Sequence, residues 1–201
     1  SLSWIDQKHL LHGHSHFAFS GWVTHALMLL LIHVTGIATH KPRIINRLLW
    51  LNILCSFGML FSFAVQGYGA ISITFSTASI ILGYVFCVLM WRQSGALHSV
   101  PARWLLRTAL VCHVVSSVGA FSLAVMMATH TVHQNWYLAA VYFFLHFEYN
   151  GWFILSLLAI FFEKFHELSD SKSGKKLAAT LAICAFPTYF LSTLWMKLPT
   201  I

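Results

Sequence analysis

The chain has 201 residues, of which 58% are hydrophobic and only 8% are charged. A soluble domain carries about 25% charged residues, so this composition excludes a soluble globular protein and predicts an all-α polytopic membrane helix bundle. Lys and Arg outnumber Asp and Glu by 12 to 5. These bases fall mainly in short connections between apolar segments, which indicates membrane topology and no nucleic-acid partner. We therefore predict one transmembrane domain, residues 1–201, in contact with the lipid bilayer.

Six stretches are apolar over the length of about 20 residues that a bilayer-spanning helix requires. The predicted helices lie near residues 4–38, 48–69, 71–91, 104–129, 135–162 and 177–196. Ser3 to Asp6 resembles a capping box with Asp in place of Glu, which predicts that the first helix begins at about Trp4. A tight turn is expected over residues 66–69, and Pro187 is expected to kink the sixth helix.

The basic residues also predict the orientation of the helices. All Lys and Arg residues except Lys8 and Lys197 lie in or beside the connections that follow the first, third and fifth helices. The positive-inside rule makes those connections cytoplasmic and puts both termini on the outer, periplasmic side of a bacterial inner membrane. Because no signal peptide is visible, an outer N-terminus predicts a further helix before this sequence.

One seven-residue pattern occurs twice in the chain. HFAFSGW begins at His16 and HFEYNGW begins at His146, so both copies read His-Phe-x-aromatic-x-Gly-Trp. A histidine in a membrane span costs free energy unless it is paired or ligated. The repetition favours a ligand role for His146 over a purely structural role.

Histidines are concentrated at the start of the first helix. Four of the 13 histidines in the chain lie there: His9, His12, His14 and His16. At 100° per residue, His14 lies opposite the other three, on one face with Gly21 and His25. A glycine on that face leaves room for a flat ligand. His14 and His25 are about 16 Å apart along the helix, so they could not ligate the same metal ion.

The fifth helix contains Glu148, the one acid within the predicted helices apart from Asp6 in the polar first turn of the first helix. An intramembrane carboxylate predicts proton transfer or ion pairing, and the alternative is a protonated, hydrogen-bonded structural residue. His113, in the fourth helix, lies near the middle of the membrane and is a candidate metal ligand together with His146. A neutral imidazole is a usual axial ligand of haem, whereas copper or zinc would need three or four converging ligands.

The pattern HxHxxxxGW, which begins at His14, resembles the second transmembrane helix of the catalytic subunit of haem–copper oxidases and nitric oxide reductases. In that helix a histidine near the outer side ligates the low-spin haem. The segment that begins at His146 resembles the sixth helix of nitric oxide reductases, in which a histidine five residues before a glycine ligates the non-haem metal. Those two family helices are four apart, as are the first and fifth helices here.

This resemblance implies a haem b ligated by His14, with His16 as the next candidate, and a second metal, Fe or Cu, near His146. It implies an oxidoreductase of respiratory electron transfer or of oxygen or nitric oxide chemistry. Glu148 and Tyr149 would deliver protons. The implied partners are other membrane subunits or a second half of the same unit, and an electron donor such as a cytochrome or a quinol.

The chain departs from the family in the ligands of the binuclear site. The adjacent histidines of the family's seventh helix have no counterpart near residue 196, and Asn150 stands where nitric oxide reductases have a glutamate. An incomplete active site is therefore predicted for this chain alone. The alternative function is a non-redox structural, metal-binding or transport subunit. A membrane di-iron hydroxylase is less favoured, because its histidine clusters face the cytoplasm.

Overall fold

The computed structural model describes residues 6–131 and 133–195, and of residue 168 only the backbone. These described residues are largely helical and contain no strand. Five of their helices are long and apolar enough to cross a membrane. The prediction of an all-α membrane helix bundle is therefore confirmed, and the chain is an integral membrane protein in contact with lipid.

The helices form two compact units, one that extends to Gln93 and one that begins at Ser94. The first unit contains α1, Gln7–Thr35; a single turn, Ile37–His40; α2, Pro42–Gln66; and α3, Ala70–Gln93. The second unit contains a 3-10 turn, Ser94–Ala96; α4, Val100–Ala128; α5, Gln134–Lys164; a single turn, His166–Ser169; α6, Lys172–Cys184; and a 3-10 segment, Pro187–Thr193.

Helix α1 begins at Gln7, later than predicted. Asp6 has an extended backbone, with φ −75° and ψ 120°, and its carboxylate accepts a 2.7 Å hydrogen bond from the N–H of Lys8. This hydrogen bond holds the pKa of Asp6 below its ordinary value. Asp6 is therefore the N-cap itself, so the prediction that gave it the fourth position of a capping box is wrong. Trp4 lies outside the described residues.

The tight turn expected after the second helix is confirmed. Helix α2 ends at Gln66 and helix α3 begins at Ala70. Gly67 has φ +59°, a conformation that glycine adopts without steric cost, and an added Cβ there would collide with the imidazole of His9. The Ser72 hydroxyl donates to the Gly67 carbonyl at 2.6 Å and closes the turn.

The sixth predicted span is divided at Pro187, as expected from its lack of a backbone N–H. Helix α6 ends at Cys184, and the 3-10 segment begins at Pro187. Within that segment the N–H of Tyr189 bonds to the carbonyl of Phe186 at 3.3 Å. In a continued α-helix the same N–H would bond to the carbonyl of Ala185. That carbonyl therefore needs a donor from elsewhere.

Both copies of the repeated sequence pattern form π-helix. The two π segments are Phe17–Thr24 within α1 and Phe147–Phe153 within α5. Each begins directly after the histidine of its copy, His16 or His146. The sequence repeat is thus also a repeat of backbone conformation. Regular helix was expected at both places. π turns are rare, and they are frequently found at functional sites.

The glycine of each π segment faces a neighbouring helix at close range. A Cβ added at Gly21 would lie 2.7 Å from the Cβ of Ser56 in α2, and one added at Gly151 would collide with the side chain of Cys112 in α4. Only a residue without a side chain allows these helix contacts. In each unit, therefore, the glycine of the repeated pattern brings the π segment against an adjacent helix.

We expect Gly151→Ala to destabilise the protein by about 1–3 kcal/mol, because the new methyl group would overpack the contact with Cys112. Gly95→Ala is the matched control, since no atom lies within 4 Å of a Cβ added there. Thermal unfolding of the detergent-purified variants measures the difference. Equal midpoints for the two variants would contradict the close packing at Gly151.

Candidate functional site

The second unit contains a buried carboxylate that meets an imidazole and a hydroxyl. Glu148 comes from the π segment of α5 and is 3% exposed. Its Oε2 lies 3.1 Å from Nδ1 of His113 and 2.8 Å from Oγ of Ser116, both on α4. The intramembrane acid singled out in the sequence is thus paired within the protein, and one of its partners is the predicted ligand His113.

Trp152 holds the His113 ring from a second side. The two ring centroids are 4.9 Å apart at an interplanar angle of 34°, and Trp152 is fully buried. Glu148 and Trp152 both contact His113 and so share one face of α5, whereas His146 points away from α4 and contacts Ala185.

The hydrogen bond to Glu148 decides which nitrogen of His113 is available. With an ionised carboxylate as acceptor, Nδ1 carries the proton and donates it, so Nε2 keeps its lone pair. Within residues 6–131 and 133–195, Nε2 has no hydrogen-bond partner. Imidazoles that ligate metals commonly bond a carboxylate through their other nitrogen in this way. With Glu148 ionised, His113 therefore has the donor chemistry of a metal ligand.

His146 is engaged through both of its ring nitrogens. Nε2 lies 2.9 Å from the carbonyl oxygen of Ala185, and Nδ1 lies 3.2 Å from the amide nitrogen of Asn150. A carbonyl accepts only, so Nε2 carries the proton and Nδ1 accepts from Asn150. The break before Pro187 explains the first bond, since the Ala185 carbonyl needs a donor there. A metal could bind His146 only if one of these hydrogen bonds were replaced.

The histidine stripe predicted at the start of α1 is confirmed in the first unit. His16 stacks on Phe63 with centroids 4.3 Å apart and an angle of 8°, and His12 packs edge-on against Tyr68 at 4.9 Å. His14 is exposed on the other side of the helix, and its ring has no hydrogen-bond partner in the described part of the chain. The two alternative haem ligands therefore lie in different environments: His14 is exposed, whereas His16 packs against an aromatic ring.

The prediction that His14, Gly21 and His25 share one face of α1 is wrong. Gly21 and His25 face α2, as His16 does, whereas His14 is exposed, because the π segment Phe17–Thr24 widens the turns between them. Asn52, 1% exposed, donates from its amide nitrogen to the Ser20 carbonyl at 3.1 Å and approaches Nδ1 of His25 at 3.2 Å. Nδ1 of His25 therefore accepts, and Nε2 carries the proton. The side of Gly21 expected to leave room for a flat ligand is filled by Ser56.

Tyr149, the second residue expected to deliver protons, lies on the exposed side of α5. It is 49% exposed, and its ring packs against Phe153 at 5.5 Å, whereas Glu148 beside it in sequence is buried. Two polar residues of these sites were not singled out in the sequence, Asn52 and Ser116. Asn52 carried a usable signal, since it is the one asparagine in the predicted second helix, residues 48–69.

No group of three or more His, Cys, Asp or Glu side chains among the described residues is arranged to hold a metal ion. A structural zinc or copper site, which needs three or four ligands, is therefore not formed by these residues alone. Haem iron needs only one or two protein ligands. In comparisons with protein families, curated proteins and solved structures, no match to this chain is found.

We expect Asn52→Leu to destabilise the protein by about 1–3 kcal/mol, because it leaves the partly buried Ser20 carbonyl without its side-chain donor. Thr77→Val is the control. Thr77 is exposed, and its hydroxyl bonds only within its own helix, to the Ile73 carbonyl. Thermal unfolding in detergent compares the two variants. A control that loses as much stability as Asn52→Leu would rule out a specific role for the amide.

Proposed function

We propose that the protein binds haem b in the membrane and serves respiratory electron transfer or oxygen or nitric oxide chemistry, as its resemblance to haem–copper oxidases and nitric oxide reductases implies. The proposal rests on His113, whose Nδ1 faces the buried carboxylate of Glu148 and whose Nε2 keeps a lone pair without a hydrogen-bond partner in the described chain. One imidazole of this kind is sufficient to hold haem iron.

Haem, when bound, supplies one-electron redox chemistry and an iron that binds diatomic gases. In the second unit His113 would hold the iron, Glu148 would fix the tautomer of the ring, and Trp152 would fix its plane. In the first unit His14 is the proposed ligand. It is preferred over His16, because the ring of His16 is covered on one face by Phe63. His146 is not included, since both of its nitrogens are hydrogen-bonded.

The proposed setting is a bacterial inner membrane with both termini on the periplasmic side. Support comes from the basic connections that follow α1, α3 and α5, under the positive-inside rule. Other membrane subunits, or a second half of the same unit, would supply the ligands that this chain lacks. A cytochrome or a quinol would donate the electrons. An oxidoreductase activity is proposed on the same grounds.

We expect the purified protein to show a Soret band and a pyridine-haemochrome spectrum of haem b. His113→Ala should weaken haem binding by at least about tenfold, because loss of a ligand costs no less than loss of an outer-shell partner. His33→Ala is the matched control, since His33 is an exposed histidine near the end of α1. His14→Ala tests the ligand proposed for the first unit. A wild-type protein that takes up no haem on reconstitution contradicts the proposal.

A second candidate function is a helix-packing subunit without a redox centre. It is favoured by His146, whose two hydrogen bonds are both within the protein, and by the Asn52–His25 bond between α1 and α2. In that case His146→Phe should lower the unfolding midpoint in protein that contains no haem, and His113→Ala should leave the absorption spectrum unchanged. Stoichiometric zinc or copper without haem would instead favour metal binding or transport.

A further inference from the structure

We propose that Glu148 is a positioning residue that fixes the tautomer of His113 and lowers the reduction potential of the iron that His113 would ligate. This inference rests on the proposed haem function. It concerns only residues of the second unit, and it assigns to Glu148 a role different from proton delivery. Glu148 does not itself touch the iron in this proposal, because its Oε2 is directed to Nδ1 of His113 at 3.1 Å.

The carboxylate of Glu148 is a strong partner because it is removed from water. It is 3% exposed, and the side chain of His113 is 15% exposed. A charge-assisted hydrogen bond is stronger in such an environment than at a surface, since less solvent screens it. A strong acceptor on Nδ1 gives the ring more negative charge and makes Nε2 a better electron donor. An electron-rich ligand stabilises the oxidised iron, so the reduction potential falls.

Ser116 contacts the same oxygen of Glu148 that faces His113. Its Oγ lies 2.8 Å from Oε2 and 2.7 Å from the carbonyl oxygen of His113. The hydroxyl has one hydrogen, so it donates to only one of these acceptors at a time. When it donates to Glu148 it draws negative charge away from Oε2 and weakens the pull of the carboxylate on His113. Removal of the hydroxyl should therefore act in the direction opposite to removal of the carboxylate charge.

The protein contains a second carboxylate–imidazole pair that serves as an internal reference. Glu163, in the last turn of α5, lies 2.9 Å from Nδ1 of His98. It also accepts from the backbone N–H of His98 at 2.8 Å and from that of Ser99 at 2.9 Å, beside the start of α4. The His98 side chain is 81% exposed. This pair holds a helix terminus, and it has no part in the site around His113.

The test measures midpoint potential by spectroelectrochemistry, together with haem affinity, in the haem-loaded full chain. Each variant is made in a His14→Ala background, so that the ligand proposed for the first unit does not contribute. Glu148→Gln keeps the shape of the side chain and removes its charge. We expect a higher midpoint potential and a haem affinity about 10- to 100-fold lower, the usual cost of losing an outer-shell partner. Ser116→Ala should lower the midpoint potential. Glu163→Gln, the matched control, should leave both quantities unchanged.

The outcomes separate this inference from the proposed function. A wild-type chain without bound haem overturns both. A haem-loaded wild type whose potential is unchanged by Glu148→Gln overturns only the positioning role, and so do shifts of the same sign in the Glu148 and Ser116 variants. If Glu148→Gln does not retain haem, Ser116→Ala decides, since an unchanged or raised potential in that variant overturns the role.

Discussion

A carboxylate within a membrane-spanning helix must find its partners inside the protein, because lipid offers none. In the second unit this constraint applies to Glu148, and α4 satisfies it with His113 and Ser116. The pairing requires α4 and α5 to meet in one register. The same contact buries Trp152. It also occupies Nδ1 of His113 with a hydrogen bond, so that only Nε2 of this ring could ligate a metal. The candidate site therefore follows from the need to satisfy one buried acid.

In both units a polar group of the π segment is bonded to a side chain of the neighbouring helix. A widened helical turn offers backbone and side-chain polar groups to a neighbouring helix, and each unit supplies the partner. Asn52 of α2 donates to the Ser20 carbonyl in the first unit, and His113 of α4 meets Glu148 in the second. In each case a glycine of the repeated pattern allows the close approach. The repeat is thus best explained as a repeat of one helix–helix contact, with different polar residues placed in it.

The two units differ in what this contact leaves available. In the first unit Asn52 bonds Nδ1 of His25, so that ring presents a protonated Nε2. In the second unit Nδ1 of His113 faces the carboxyl group of Glu148. With that group ionised, it accepts from Nδ1 and leaves the lone pair of Nε2. An amide donor and a carboxylate acceptor thus give opposite tautomers to two imidazoles. Whether a histidine can bind a metal through Nε2 depends on this tautomer. The number of histidines in the chain does not show which tautomer each one adopts.

The sequence by itself determined the membrane class, the long apolar helices, the histidine stripe of α1, the turn at Gly67 and the break at Pro187. These features depend on hydropathy, helical periodicity and the backbone limits of glycine and proline, which act over a few residues. Only the tertiary structure decided the π segments and the nitrogen that each imidazole leaves open. The partners responsible are distant in sequence, 35 residues apart for His113 and Glu148 and 39 for His146 and Ala185. A proton on one ring nitrogen is set by the group that faces it, and helix packing alone brings that group into place.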